Sequence, residues 1–487
     1  MERLVLELKE IEVSFLDKII LDIKNLRIHQ FDRIGIVGKN GSGKSTLLKL
    51  MSGDLKPDLG SVNHQIEFNY FEQKEASFVR DGIDFRLLGQ LNVPDHEEEL
   101  SGGEQTRLKL AQLLSDYHEG LLIDEPTTHL DAAGIDFLVE ELKYYYGALV
   151  LVSHDRYVLD QLVTKIWEVH DGQVTEYTGN YSDYELQKEL ERQQQQELHE
   201  RYLKEKQRLL AAADEKMKKA SKITQSKQSG AKKEVHANAN RMYMTKQKDT
   251  SQKAIQKTAK ALEKRVEQLE EILPVETEKP IHFQQSKSLR LHNRFPIMAD
   301  QLTLKSGEKV LLENVSFQFP LGENIVISGA NGSGKSTLLK HVVGQGEGLT
   351  ISPKAEFGVY HQLSYQIKEN KTVLAFMKEK SEFEESNIRA ILHEMKFVGN
   401  DLIKEVNQLS GGESIRLHLC QLFSGAYNIL VLDEPTNFLD LDSIRALETF
   451  LHYYEGTVLL VSHDREFVKR VADSVYKISD RDLTRVK

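Results

Sequence analysis

The 487-residue chain is 40% hydrophobic and 29% charged, which excludes a single small domain, a chain disordered throughout and a membrane-embedded protein. Its single cysteine, Cys420, has no disulfide partner within the chain, the start MERLVLELKE lacks a basic stretch followed by an apolar one, and no apolar run approaches the roughly 18 residues of a membrane span. The net charge of −11 conceals a segregation, since residues 201–266 hold 19 Lys or Arg against 6 Asp or Glu, a surplus of +13 that leaves −24 on the remainder.

In chain order, the first strand that ends in a motif is Arg33–Val37, RIGIV, short and almost continuously apolar as a buried parallel strand is. It opens into GKNGSGKST at 38–46. LSGGE follows at 100–104, GLLI at 120–123 runs into DEPT at 124–127, and ALVLV at Ala148–Val152 runs into LVSHDR at 151–156. Every motif returns: GANGSGKST at 329–337, LSGGE at 409–413, DEPT at 433–436 and LVSHDR at 460–465. A whole domain is duplicated, and the alternation of apolar runs with helical patterns predicts an α/β core in each copy. The offsets locate a difference between the copies. They are 291 at Lys44 and Lys335 and 289 at Gln73 and Gln362, but 309 at Ser101 and Ser410, Asp124 and Asp433, and His154 and His463. The second copy therefore has about 20 more residues between Gln362 and Ser410.

Between the copies, the chain from about Tyr181 is rich in Gln, Glu and Lys without Gly or Pro, which predicts a long polar helix. Ile255, Leu262, Val266, Leu269 and Leu273, spaced 7, 4, 3 and 4, form a heptad-like seam expected to last until Pro274. Two long helices in an antiparallel hairpin are expected, with the aperiodic stretch 221–247 as its tip. The predicted organisation is a first α/β domain at 1–181, a basic helical hairpin at 182–292 and a second α/β domain at 293–487.

Each GxxxxGK[ST] segment follows a strand and opens a helical pattern, the setting in which glycines let backbone N–H groups wrap phosphates at a helix N-terminus. The candidate nucleotide-binding residues are Gly38, Asn40, Gly41, Gly43, Lys44, Ser45 and Thr46, with Gly329, Asn331, Gly332, Gly334, Lys335, Ser336 and Thr337. The lysines reach the terminal phosphates, and Ser45 and Ser336 meet Mg2+. In each DEPT segment a strand delivers two carboxylates that alternation points apart. Asp124 and Asp433 suit Mg2+, while Glu125 and Glu434 suit polarising the water that attacks the γ-phosphate. His154 and His463 end another strand about thirty residues on, where an imidazole can contact that phosphate. In LSGGE, Ser101 or Ser410 is an expected N-cap, and Gly102, Gly103, Gly411 and Gly412 expose N–H groups at a helix start. A fold with its phosphate cradle already in place has use for this second anion site if it covers ATP bound to the other copy.

Together these residues resemble the ATP-binding-cassette ATPases, with Walker A, a Q-loop glutamine (Gln73, Gln362), signature, Walker B, D-loop (Leu130-Asp131, Leu439-Asp440) and switch histidine in both copies, over about 370 residues. The resemblance implies two P-loop cassettes that sandwich two ATP molecules head to tail. It places Gln73 and Gln362 with Ser45, Asp124, Ser336 and Asp433 around Mg2+, and makes both sites hydrolytic. Phe15 is expected either to stack on adenine or to lie in the core, whereas LTLKSGEK at 302–309 offers the second site no aromatic.

Two cassettes in one chain, joined by a charged helical linker, resemble the ABC-F family, whose members act on the ribosome; YTGNYSDY at 177–184 is similar to the lead-in to that family's linker. By this resemblance the chain would bind the ribosomal E site when ATP closes the cassettes, with its linker reaching toward the P-site tRNA and the rRNA of the peptidyl-transferase centre. It would work in the cytoplasm as a monomer, with no membrane contact and no obligatory transmembrane subunit. The +13 segment suits RNA phosphate, and His236, Met242, Tyr243 and Met244 are candidate ribosome contacts at the tip, able to pack on bases. General translation factors of the family usually insert an arm before the first signature, but only 27 residues separate Gln73 from Ser101, against 47 between Gln362 and Ser410. The missing arm and a linker of 97 residues at 184–280 resemble the antibiotic-resistance group, which protects against macrolides, lincosamides, streptogramins, pleuromutilins or phenicols. A housekeeping translation factor, the ATPase subunit of an efflux transporter and a DNA-structural ATPase are the alternatives.

Overall fold

A computed structural model describes residues 3–15, 18–72, 83–91, 93, 102–128, 130–230, 240–272, 290–360, 369–381 and 383–487. These form two compact units, one made of 1–184 with 279–487 and the other of 185–278.

The first half opens with long antiparallel strands β1 (Leu4–Phe15) and β2 (Lys18–His29), followed by β3 (Arg33–Val37), α1 (Lys44–Ser52), β4 (Leu59–His64), β5 (Phe68–Phe71), α2 (Phe85–Gln90) and α3 (Gly102–Ser115). It continues through β6 (Gly120–Asp124), α4 (Ala132–Lys143), β7 (Ala148–Val152), α5 (Arg156–Leu162), β8 (Lys165–His170) and β9 (Gln173–Thr178). Six strands form a sheet in the order β5-β6-β7-β3-β8-β9, parallel except for the last pair, and β2-β1-β4 form a separate antiparallel sheet. β6 and β7 are buried at every residue because both faces are covered. Alternation splits their side chains: Leu121, Ile123, Leu149 and Leu151 pack with α3, α4 and α5, while Leu122, Val150 and Val152 pack with β1, β2 and α1.

After the linker helices α6 (Tyr181–Gly230) and α7 (Asn240–Glu267), the second half repeats this plan. Its elements are β10 (Ile297–Ser306), β11 (Lys309–Phe319), β12 (Asn324–Gly329), α8 (Lys335–Val343), β13 (Leu349–Ile351), β14 (Phe357–Tyr360), α9 (Val373–Lys380), α10 (Glu385–Glu394), α11 (Gly411–Phe423), β15 (Ile429–Asp433), α12 (Leu441–Tyr453), β16 (Thr457–Val461), α13 (Arg465–Val471), β17 (Ser474–Ser479) and β18 (Asp482–Arg485). The sheet orders β14-β15-β16-β12-β17-β18 and β11-β10-β13 match the first half strand for strand. The longer segment before the second signature carries α9, α10 and two 3-10 turns, which bury Phe376, Met377, Ile388, Ile391 and Leu392. Cys420 is buried there on α11, with its thiol directed at the Ile391 carbonyl at 3.9 Å.

In the unit at 185–278, α6 is polar but helix-competent. Acids placed three or four residues before bases pair along it, as in Glu197–Arg201, Asp214–Lys218 and Glu215–Lys219. His199 on α6 contacts the Ile272 carbonyl just beyond α7 at 2.5 Å, which brings an early part of α6 to the end of α7 as an antiparallel pair requires. Two expectations need correction. Much of the supposed tip is helical, since α6 continues to Gly230 and α7 starts at Asn240; Lys, Gln, Ala and Ser without proline sustain a helix even where no apolar period exists. The helix under the seam also stops early, because α7 ends at Glu267 and Leu269 lies beyond it; Leu273 and Pro274 lie outside the described residues, and among the described ones the most buried on α7 is the unanticipated Ala259. Among the described residues no helix is long and apolar enough to cross a membrane.

Candidate nucleotide sites

The two nucleotide loops sit where β3 and β12 end and α1 and α8 begin, on the carboxyl edge of each sheet, where open α/β folds hold ligands. Their turns depend on glycine: Gly38, Gly41 and Gly43 have φ of 148°, 78° and 105°, and Gly329, Gly332 and Gly334 have 151°, 72° and 108°. A Cβ on Gly38 would come within 2.5 Å of the Val169 carbonyl. Lys44 Nζ donates to the Gly38 and Lys39 carbonyls at 2.8 and 3.0 Å, and Lys335 Nζ to those of Gly329 and Ala330 at 2.8 and 2.9 Å. Burial lowers the pKa of both ammonium groups. Ser45, Thr46, Ser336 and Thr337 follow on the first turns of α1 and α8 and line the same cavity.

The two carboxylates of each pair sit in different surroundings. Asp124 ends β6, buried and bonded by the Ser45 hydroxyl, and burial raises its pKa. Asp433 ends β15. Glu125 and Glu434, one residue later, take φ of 49° and 50°, a left-handed conformation that costs a residue with a Cβ about 1–2 kcal/mol. Their amides are fixed by the Val152 and Val461 carbonyls at 2.9 Å. Glu125 Oε1 lies 3.4 Å from His154 Nε2, and Glu434 Oε1 lies 3.3 Å from His463 Nε2. The backbone N–H of His463 donates to Glu434 Oε2 at 3.3 Å. Glu125 Oε1, Glu434 Oε1 and His154 Nδ1 are buried without a hydrogen-bond partner. Burial, with Asp433 adding to it, pushes Glu434 up to about 7, and burial, with Lys335 adding to it, pushes His463 down to about 4. In the first site burial moves Glu125 up and His154 down in the same way. Strained, desolvated carboxylates with unspent acceptor capacity suit a role as base or water-orienting group.

The two halves meet at these loops. The amide of Asn40 donates to Asp440 Oδ2 at 3.0 Å, and its Nδ2 donates to the Phe438 carbonyl at 2.9 Å. In mirror fashion the amide of Asn331 donates to Asp131 Oδ2 at 3.0 Å. Each aspartate is bidentate, because its other oxygen caps a helix of its own half: Asp131 takes the Gly134 amide at 3.0 Å for α4, and Asp440 takes the Ser443 amide at 2.9 Å for α12. The signature of the second half completes the first site. Ser410 N-caps α11 in a reciprocal box with Glu413, and a Cβ on Gly412 would stand 3.0 Å from Asn40 Nδ2. One cavity of about 1720 Å³ is lined by both nucleotide loops, both carboxylate pairs, both histidines, and Ser410, Gly411 and Gly412. Phe15, 51% exposed at the end of β1, lines it too, so it is not core; Ser306, Lys309 and Leu311 of the second half line it without an aromatic.

Some expected site residues are not placed. Gln73, Gln362, Ser101 and His236 lie outside the described residues. Gly102 and Gly103 begin α3, and Met242, Tyr243 and Met244 fall within the first two turns of α7. Sequence reasoning passed over Arg156 and Arg465, each directly after the histidine–aspartate pair. Arg156 Nη1 donates to Glu448 Oε1 at 2.7 Å, and Arg465 Nη2 to Asp136 Oδ2 at 2.6 Å, each across the boundary between halves. Their duplication in SHDR was the signal available.

A family described as ABC transporter matches residues 21–87 and 312–437, and a second so described matches 167–234. The erythromycin resistance ATP-binding protein MsrA of Staphylococcus epidermidis is 40% identical over 487 residues, covering 99% of this chain and 99% of that protein. The ribosome protection protein VmlR of Bacillus subtilis (strain 168) is 34% identical, covering 98% of this chain and 87% of that protein. The solved structure of an RNase-L inhibitor superposes with a TM-score of 0.65 at 19% identity, over 98% of this chain and 88% of that one, a likeness of fold.

Proposed function

The chain belongs to the ABC-F family of tandem-cassette ATPases, in its antibiotic-resistance group, and on that premise we propose that ATP closes its cassettes into a form that occupies the ribosomal E site and protects translation. The drugs countered are those of the peptidyl-transferase centre and exit tunnel, the macrolide, lincosamide, streptogramin and pleuromutilin classes. The partners are rRNA and P-site tRNA, and the chain acts as a cytoplasmic monomer. Full-length similarity to proteins named for erythromycin resistance and ribosome protection supports this reading over efflux. So does the surplus of positive charge at 201–266, which offers RNA phosphate a counter-surface on an otherwise acidic chain.

The observation that carries the mechanism is the reciprocal hold of Asn40 by Asp440 and of Asn331 by Asp131. Phosphates bound in the Gly38–Asn40 turn or its counterpart are thereby bound next to the other cassette, so nucleotide favours the closed arrangement and shifts the population toward it. Lys44 and Lys335 leave their own loop carbonyls to meet the terminal phosphates, and the amides at the start of α11 cover the nucleotide of the first site. Ser45 with Asp124, and Ser336 with Asp433, are the residues to hold Mg2+; hydroxyl and carboxylate oxygens are the hard donors this ion takes. Bound there, it would offset charge building on the phosphate oxygens. Glu125 and Glu434 orient and deprotonate the attacking water, and neutral His154 and His463 hold the phosphate side of that geometry. Hydrolysis ends the closed state, so the glutamates time the stay on the ribosome.

Replacing both glutamates with glutamine is expected to lower ATP turnover by a factor of about 10² or more and to leave the protein sedimenting with ribosomes whenever ATP is present. Unchanged turnover, or no ATP-dependent sedimentation with ribosomes, would refute the assignment.

A further inference from the structure

α12 is N-capped by Asp440, the residue that holds Asn40, and one face of its first two turns meets the first cassette. Leu441, Arg445 and Glu448, spaced four and three, share that face. Leu441 is buried among the apolar side chains of the first half. Arg445 Nη2 donates to the Tyr181 hydroxyl at 3.1 Å, and Glu448 accepts from Arg156 at 2.7 Å. Tyr181 is the first residue of α6, its ring buried and in contact with Tyr184 at 5.7 Å between centroids. Arg156, 1% exposed, starts α5 two residues after His154, and its Nε and Nη2 are buried without partners. The matching face of α4, offset by 309, is Ala132, Asp136 and Val139. It takes Arg465 through the Ala132 carbonyl and Asp136, and it carries no counterpart of Glu448.

We propose that Arg445 and Glu448 are positioning residues that tie closure of the first nucleotide site, the one built on Lys44, to the start of α6 through Tyr181 and Arg156. A guanidinium as buried as Arg156 is compensated by Glu448 only while the cassettes are together, so the pair contributes to the closed state and not to the open one. The same helix face then holds the hydroxyl of the residue from which the linker departs. Among the described residues α4 has no such link to a linker helix, so the two sites are unequal: ATP at the first fixes the start of α6, and ATP at the second does not. This rests on the reading that ATP closes the cassettes, and not on the ribosome.

Hydrogen exchange in the full chain carrying Glu125→Gln and Glu434→Gln tests the link without ribosomes. ATP is expected to slow exchange in the first two turns of α6 by about fivefold or more. Adding Lys44→Ala should abolish that slowing, and adding Lys335→Ala should preserve most of it. Tyr181→Phe keeps the ring in the core and Glu448→Gln keeps its shape; each should cut the slowing in α6 to about twofold or less while slowing in α11 persists. Equal loss with Lys44→Ala and Lys335→Ala, or full slowing in Tyr181→Phe and Glu448→Gln, overturns the proposal. ATP-induced slowing absent from α11 as well would overturn the closure reading beneath it.

Discussion

Glu434 shows how one buried carboxyl links chemistry to stability. Its pKa, raised by burial to about 7 against 4.5 for a free glutamate, means that the folded protein holds the proton more tightly than the unfolded chain does. Stability is then lost as pH climbs from about 5 through about 7, the range in which the unfolded chain has released that proton and the folded protein still holds it. Glu434→Gln removes the ionisation, so the variant should be more stable than the parent at pH 8 by on the order of 3 kcal/mol and melt at a higher temperature, with the gap closing near pH 5; differential scanning calorimetry across this range decides it, and a gap independent of pH would contradict the burial argument. Ionisation is also what lets the residue accept a proton, so turnover at the second site should rise through about pH 7. His463, pushed down to about 4, stays neutral throughout and adds no second inflection. The identity of these groups was legible in the sequence because the motif recurs. Their left-handed φ was not, because nothing in DEP distinguishes a strained glutamate from a relaxed one.

Among the elements, α11 and the linker helices make separable demands. Gly412 faces Asn40 so closely that a carboxylate there would collide with it and bring charge against the phosphate side of the first site. Gly412→Asp should leave ATP binding at the second site within about twofold while preventing closure at the first, seen by titration with a fluorescent ATP analogue; equal weakening at both sites would show that α11 does not complete the first one. In the linker, Ala259 is fully buried, and Ala259→Asp places an unpaired charge there. Ribosome-dependent activity is expected to fall while basal ATP turnover is kept, and loss of both would mean that the hairpin supports the cassettes themselves. The strands β3, β6 and β7 were readable because covered parallel strands are continuously apolar. Of the linker helices, α6 was readable from a Gln-, Glu- and Lys-rich run without Gly or Pro, and α7 only where leucine, isoleucine and valine mark a period. Alanine is a weak marker, so Ala259 escaped notice, and the polar continuation of both helices looked like a loop.

At the scale of the whole molecule, the deciding contacts join residues 200 to 400 positions apart, as in Asn331–Asp131 and Asn40–Asp440. A duplicated motif reveals that such partners exist, but the head-to-tail pairing followed from the family resemblance, and the unequal faces of α4 and α12 could be seen only in the fold. The segregation of charge makes a further prediction. Lys216, Lys218 and Lys219 belong to the surplus at 201–266, and reversing all three to Glu should weaken ribosome binding and flatten its dependence on salt, measured by sedimentation at several KCl concentrations. An unchanged salt slope would place the RNA contacts elsewhere.

The most direct test of the account is cell-free translation of a reporter inhibited by a macrolide, a lincosamide, a streptogramin A, a pleuromutilin or a phenicol, with and without the purified protein and ATP. Recovery with at least one drug is predicted, lost when Glu125→Gln and Glu434→Gln are combined; because no membrane is present, recovery would come from the ribosome and not from efflux. Failure to restore translation against any of these drugs, with the double variant still arresting synthesis, would contradict a protective role and identify a ribosome factor of another kind.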